Sequence, residues 1–186
     1  MVTNLKLNVS EIFKLLTTYK LCDYQKSILE LIDRQQHILI SKPRDMHITD
    51  LYMSYIFDKC ITNGNITSMI MSSSKNTNYY IRDKFKDLTD MYGIKCDVLN
   101  TNRLEFNNNV ISILNTNVQS SCSSMVNHLC IIDADLIPNL DEVLMGVIPC
   151  VVNTGTIFIS GNDNNTSYFK KLYDDTNNYI KLRISF

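Results

Sequence analysis

His37-Ile38-Leu39-Ile40-Ser41-Lys42-Pro43-Arg44-Asp45-Met46-His47-Ile48-Thr49 is the stretch on which the fold turns. Its first four residues form the short apolar run that a buried parallel strand presents. Pro43 makes a turn, and Thr49 is expected to cap a helix that continues to about Cys60. A strand that passes into a helix N-terminus through a basic turn suits a bound phosphate. Backbone N–H groups and the helix dipole face the anion, Lys42 and Arg44 add charge, and the Thr49 hydroxyl can bind Mg²⁺. The turn has no glycine and no Gly-Lys-Ser/Thr, so read alone it is equally an ordinary strand–turn–helix connection.

Outward from this turn, strand and helix patterns alternate. Upstream, Ile12, Phe13, Leu15 and Leu16 fall on helical spacing after Ser10, the expected cap. A second helix is expected from Asp23, as its cap, to Gln36. Downstream, strands are expected at Ile66–Met71, Ile94–Leu99, Leu129–Asp133, Thr156–Ser160 and Ile180–Ile184. Helices are expected over Asn76–Tyr92, with Ile81, Phe85, Leu88 and Met91 inward, over Leu140–Gly146 and over Thr166–Asp174. Leu104–Phe106 and Val110–Leu114 flank Asn107-Asn108-Asn109, a hairpin signal whose asparagines can take φ > 0 in place of glycine. A polar loop runs from Asn115 to Asn127. This alternation predicts an α/β fold, a mostly parallel sheet with helices on both faces.

The 186 residues fit one domain, 1–186, in which residues 1–20 form an N-terminal helical extension. A net charge of −1 supplies no global positive field, so DNA is expected to be met only through a larger assembly. Six cysteines without a C-x-x-C pair, and three histidines without a cluster, argue against zinc and against a disulfide framework. Free thiols in a reducing compartment and no signal-peptide pattern set the expectation of a protein that is not secreted. No apolar run is long enough for a membrane span. The many asparagines, with abundant Ile, Lys, Asp and Tyr, suggest an AT-rich genome and favour a viral or phage source.

Ligands on such sheets bind beyond the carboxyl ends of the strands, so the turns after Ile40, Ile132 and Ile159 should share one edge. The second of these follows Ile131-Ile132-Asp133-Ala134-Asp135, an apolar strand ending in the aspartate that P-loop enzymes use to hold Mg²⁺. A following glutamate normally activates water; here Ala134 follows, and Asp135 comes one position late. The third turn, Ser160-Gly161-Asn162, can sense a γ-phosphate or serve as a plain glycine turn. Tyr24-Gln25 lies on the helix before the first core strand, where nucleotide-binding motors often place an adenine-reading glutamine.

In this order and spacing the motifs resemble those of the terminase large subunit, the packaging motor of tailed phages and herpesviruses, from about Leu21 to Phe186. Lys42-Pro43-Arg44-Asp45-Met46-His47-Ile48-Thr49 follows the family's lysine-x-arginine-glutamine-methionine-glycine-x-Ser/Thr loop except at Asp45 and His47. Phe106-Asn107-Asn108-Asn109 matches its hairpin, and Asp133-Ala134-Asp135-Leu136-Ile137-Pro138-Asn139 its second motif. Ser160-Gly161-Asn162, followed by Tyr168-Phe169, stands where the coupling motif lies.

The resemblance implies a P-loop NTPase-like fold of the ASCE type and Mg-ATP as ligand. Tyr24, Gln25, Lys42, Arg44 and Thr49 would bind nucleotide. Thr49 and Asp133 would hold Mg²⁺ through water, Asp133 and Asp135 would be the catalytic carboxylates, and Ser160, Gly161 and Asn162 would couple. It also implies a viral protein partner, residence in the host cytoplasm or nucleus, and no nuclease domain in this chain.

Four departures bear on activity: His47 for the loop glycine, Ala134 for the glutamate, Asn162 for the coupling proline, and no arginine in the Asn115–Asn127 loop. They point to a terminase-like ATPase domain degenerate in catalysis. The alternatives are a pseudo-ATPase interaction domain that binds a viral partner and, further off, a superfamily-2 helicase-like module. Helices 10–20 and 23–36 are the expected partner surfaces.

Overall fold

Alternate residues of the apolar runs face opposite layers. Ile38, Ile40, Ile70, Cys130, Ile132 and Phe158 join one buried cluster. Leu39, Met69, Met71, Leu129, Ile131, Ile157 and Ile159 join the other. This is the period-two signature of strands covered on both faces. The computed structural model describes residues 8–34, 36–116, 125–162 and 167–184. Its strands are β1 (Ile38–Ser41), β2 (Thr67–Ser72), β3 (Val98–Leu99), β4 (Arg103–Phe106), β5 (Asn109–Asn115), β6 (Val126–Ile131), β7 (Val151–Gly161) and β8 (Ile180–Arg183). They form one sheet in the order β3, β4, β5, β2, β6, β7, β1, β8. Pairing is parallel from β5 through β8 and antiparallel only at the β3–β4–β5 edge. β7 separates β1 from β6, so the strands leading to Lys42 and to Asp133 are next-but-one neighbours.

Helices α1 (Val9–Thr17), α2 (Asp23–Asp33), α3 (Ile48–Thr62) and α4 (Lys75–Met91) supply the first cluster. Helices α5 (Leu140–Val147) and α6 (Tyr168–Asp175) supply the second. The expected mostly parallel α/β sheet with helices on both faces is therefore what the chain forms. The described part of the expected N-terminal extension is no appendage. Ile12, Phe13 and Leu16 of α1 are buried in the first cluster, and the Lys84 ammonium of α4 donates to the Leu16 carbonyl at 3.0 Å. The apolar faces of α1 and α2 are likewise spent on the core.

Several helix ends differ from expectation for local reasons. Asn8, not Ser10, caps α1 in a reciprocal box: its side chain accepts the Glu11 N–H, and Glu11 accepts the Asn8 N–H. Cys22, not Asp23, is the N-cap of α2, with its N–H donated to Gln25 Oε1 at 3.1 Å. His47, not Thr49, precedes α3. Met91 closes α4 at 62% exposure because the helix ends there, and Gly93 turns at φ +61° so that the Ile94 N–H reaches the Thr89 carbonyl. That turn consumes the start of the strand expected at Ile94–Leu99, leaving Val98–Leu99. The Asn115–Asn127 loop lies mostly outside the described residues.

The hairpin behaves as read, with one addition. Asn107 and Asn108 take φ of +49° and +62°, the pair that a two-residue turn matched to strand twist requires. Asn109 does other work. Fully buried, its side chain accepts the Ile66 N–H and donates to the carbonyls of Cys60 and Phe106, tying the hairpin to the end of α3 and the start of β2.

At the opposite end of the sheet from the Lys42 turn, His128 is buried under the Tyr55 ring and bonded to Thr156 Oγ1 at 2.7 Å. Burial, helped by the Lys59 charge, lowers its pKa to about 4. The folded chain thus binds fewer protons than the unfolded chain between pH 6.5 and about 4. Stability is full above pH 6.5 and falls through this window, by about 2 kcal/mol on going from pH 7 to pH 5. Urea unfolding at both pH values should show that loss for the wild type and a smaller one for His128→Asn. Equal losses would remove His128 as the cause.

Candidate functional site at the carboxyl edge of the sheet

The Lys42 N–H donates to the Gly161 carbonyl at 2.9 Å, so the first turn leaves the sheet pinned to the end of β7. From there the three turns singled out in the sequence converge on one cleft of about 630 Å³, lined among others by Lys42, Arg44, Thr49, Asp133, Asp135 and Asn162. The Lys42 side chain is 10% exposed and its ammonium lies 3.6 Å from Asp133 Oδ1. The Asn162 N–H donates to Asp135 Oδ1 at 3.0 Å, joining the second turn to the third. The first turn thus meets the second across β7 through charge, and the second meets the third through a hydrogen bond.

The backbone solves the missing-glycine problem with other residues. Asp45 and His47 in the first turn and Asp133 in the second hold φ of +63°, +50° and +51°. Side-chain-bearing residues adopt this region at a cost of roughly 1–2 kcal/mol each, and such strain concentrates where a loop shape is needed. His47 therefore gives the turn a left-handed step although it carries a side chain. What it adds is a ring: His47 Nδ1 lies 2.9 Å from Asp50 Oδ2, and the Tyr80 hydroxyl donates to Asp50 Oδ1 at 2.5 Å. Asp50 is almost completely buried, so the two donors compensate the cost of taking a carboxylate out of water. Burial and the Asp50 charge hold the Tyr80 phenol above its usual range, which keeps it a donor.

Not every residue expected at the site faces the cleft. Thr49 does, as the second residue of α3. Tyr24 and Gln25 reach the first turn from outside: the Tyr24 hydroxyl donates to the Met46 carbonyl at 3.2 Å and Gln25 Nε2 to the same oxygen at 3.3 Å. Ser160 is wholly buried with its hydroxyl unpartnered, Gly161 pairs with Ser41, and only Asn162 of the third turn lines the cleft. Ala134 is fully buried in the second hydrophobic cluster, whereas Asp135 lines the cleft. The left-handed step at Asp133 and the 3-10 turn over Ala134–Leu136 rotate the chain so that the carboxylate one position late is the one presented. Sequence reasoning did not single out Asp50 and Tyr80. Asp50 sits three residues after His47, a helical spacing that could have flagged it; Tyr80 is brought in by tertiary packing alone.

The donor set is a hard one. Among the described residues no group of three His, Cys, Asp or Glu side chains could cage an ion. The cleft is lined by the Thr49 hydroxyl and by carboxylates that include Asp133 and Asp135, and Mg²⁺ typically takes one or two such protein oxygens together with phosphates and water. No described helix is long and apolar enough to cross a membrane.

No protein-family model matches the sequence, and no curated protein does. Solved structures do resemble it. The Thermus phage P74-26 large terminase ATPase domain superposes with a TM-score of 0.71 at 11% identity, over 95% of this chain and 86% of that one. The bacteriophage HK97 large terminase gives 0.74 at 11% identity over 98% of this chain. A thermophilic-bacteriophage large terminase in complex with ADP gives 0.64 at 14% identity over 89%. The fold is thus that of the phage large-terminase ATPase domain, and the chain spans 44% of the HK97 protein.

Proposed function

We propose that this chain is a nucleotide-binding domain of the terminase ATPase type, built for a viral DNA-packaging motor, with hydrolysis slowed by the remodelled second turn. The observation that carries this reading is the convergence of Lys42, Thr49 and Asp133 on one cleft at the carboxyl edge of the sheet. Lys42 and Arg44 would meet the phosphates, and Thr49 and Asp133 would hold Mg²⁺ through water. The ADP complex of the related terminase supports the choice of ligand. When bound, Mg²⁺ would neutralise charge on the phosphates.

The chain's own residues decide the rate. With Ala134 turned into the core, Asp135 would be the carboxylate that orients water, and its Oδ1 is held by the Asn162 N–H. Because Asp135 arrives through a different backbone path, turnover is expected to be slow. In single-turnover assays with Mg-ATP, Asp135→Asn should lower the rate by about 10²-fold and leave affinity unchanged. An unchanged rate would remove Asp135 from the chemistry.

The second reading, an interaction domain without chemistry, is favoured by the same buried Ala134. In either case a viral protein is the expected partner, and DNA is met through the larger assembly.

A further inference from the structure

The inference rests on the nucleotide reading above and concerns the base. We propose that the base of the bound triphosphate stacks on an aromatic rim formed by His47 and Tyr19, and that the site accepts adenine and guanine alike.

Gln25, the residue whose position suggests adenine reading, has no polar edge to offer. Its Oε1 accepts the Cys22 N–H, its Nε2 donates to the Met46 carbonyl, and the residue is 3% exposed. The neighbouring Tyr24 hydroxyl is committed to the same Met46 carbonyl. These two side chains brace the phosphate turn.

What the rim does offer is ring surface. His47 lines the cleft, and its ring is held from three sides: by Asp50 at Nδ1, by the edge of buried Phe13 at 6.5 Å, and by Tyr19 at 5.2 Å. Tyr19 reaches it because Thr18 ends α1 in the left-handed conformation, φ +66°, and the Tyr19 N–H is held by Thr17 Oγ1. Tyr19 nevertheless remains 60% exposed. A large ring left in water beside a fixed imidazole, at the border of a polar cleft, is a platform in search of a planar partner. Tyr80 of α4 also lines the cleft and is anchored through the same Asp50. Stacking on such faces is indifferent to the hydrogen-bonding edge of the base.

The test is calorimetric titration of the wild type, Tyr19→Ala and Tyr19→Phe with Mg-ATP, Mg-GTP and Mg-tripolyphosphate. ATP and GTP should bind the wild type within about threefold of each other. Tyr19→Ala should weaken both on the order of tenfold, and Tyr19→Phe should retain both. Tripolyphosphate, which has no base, should be unaffected by either change. A strong preference for ATP over GTP, or a Tyr19→Ala protein with undiminished nucleotide affinity, overturns the inference while leaving the phosphate site standing. If neither nucleotide nor tripolyphosphate binds, the nucleotide reading itself fails and takes this one with it.

Discussion

Ala134→Glu, the substitution that would restore a glutamate to the position where the terminase motif carries one, is expected to destabilise the domain strongly rather than revive it. Ala134 is wholly buried in the hydrophobic cluster that also contains Ile137, Leu140 and Phe169. A carboxylate placed there loses its hydration with no partner provided, and the larger side chain overpacks its neighbours. Together these should cost roughly 3–5 kcal/mol, a large fraction of a domain's total stability. The buried carboxyl would also hold its proton in the folded state. Its penalty is therefore greater at pH 8 than at pH 5, because the charged form is favoured only in the unfolded chain. Urea unfolding at the two pH values reads both effects. A stable variant with faster ATP turnover would show that residue 134 faces the cleft after all.

That contrast marks where the sequence stops being readable. The apolar runs at Ile38–Ile40 and Ile66–Met71, and the asparagine hairpin, carry their structure locally, because strand burial and turn conformation depend on neighbouring residues. The order of the three turns along the chain sufficed to bring Lys42, Asp133 and Asn162 to one edge, since parallel strands deliver their carboxyl ends together. Side-chain direction within those turns was not legible. Whether residue 134 or 135 faces the cleft depends on one left-handed residue, Asp133, that bears no glycine to announce it. The same holds for His47, which takes a left-handed step with no glycine to announce it. Gln25 was legible as a residue near the turn, but its bonds to Cys22 and Met46 depend on where the cap of α2 falls. The Asp50–Tyr80 contact joins residues thirty positions apart and has no local signal.

If Lys42, Thr49 and Asp133 form a working Mg-nucleotide site, as proposed, Asp133→Ala should have the largest functional effect. Removing this carboxylate would take away the second turn's proposed ligand for the metal. It also leaves the nearly buried Lys42 ammonium without the ion pair that now orients it. The fold should survive, because Asp133 is partly exposed, although the left-handed backbone disfavours alanine there. Calorimetric titration of Mg-ATP into the wild type and into Asp133→Ala is the measurement to make. Saturable binding by the wild type and a loss of about a hundredfold or more in the variant are expected. Equal binding by both proteins, or no heat from either at millimolar nucleotide, would contradict the proposed site.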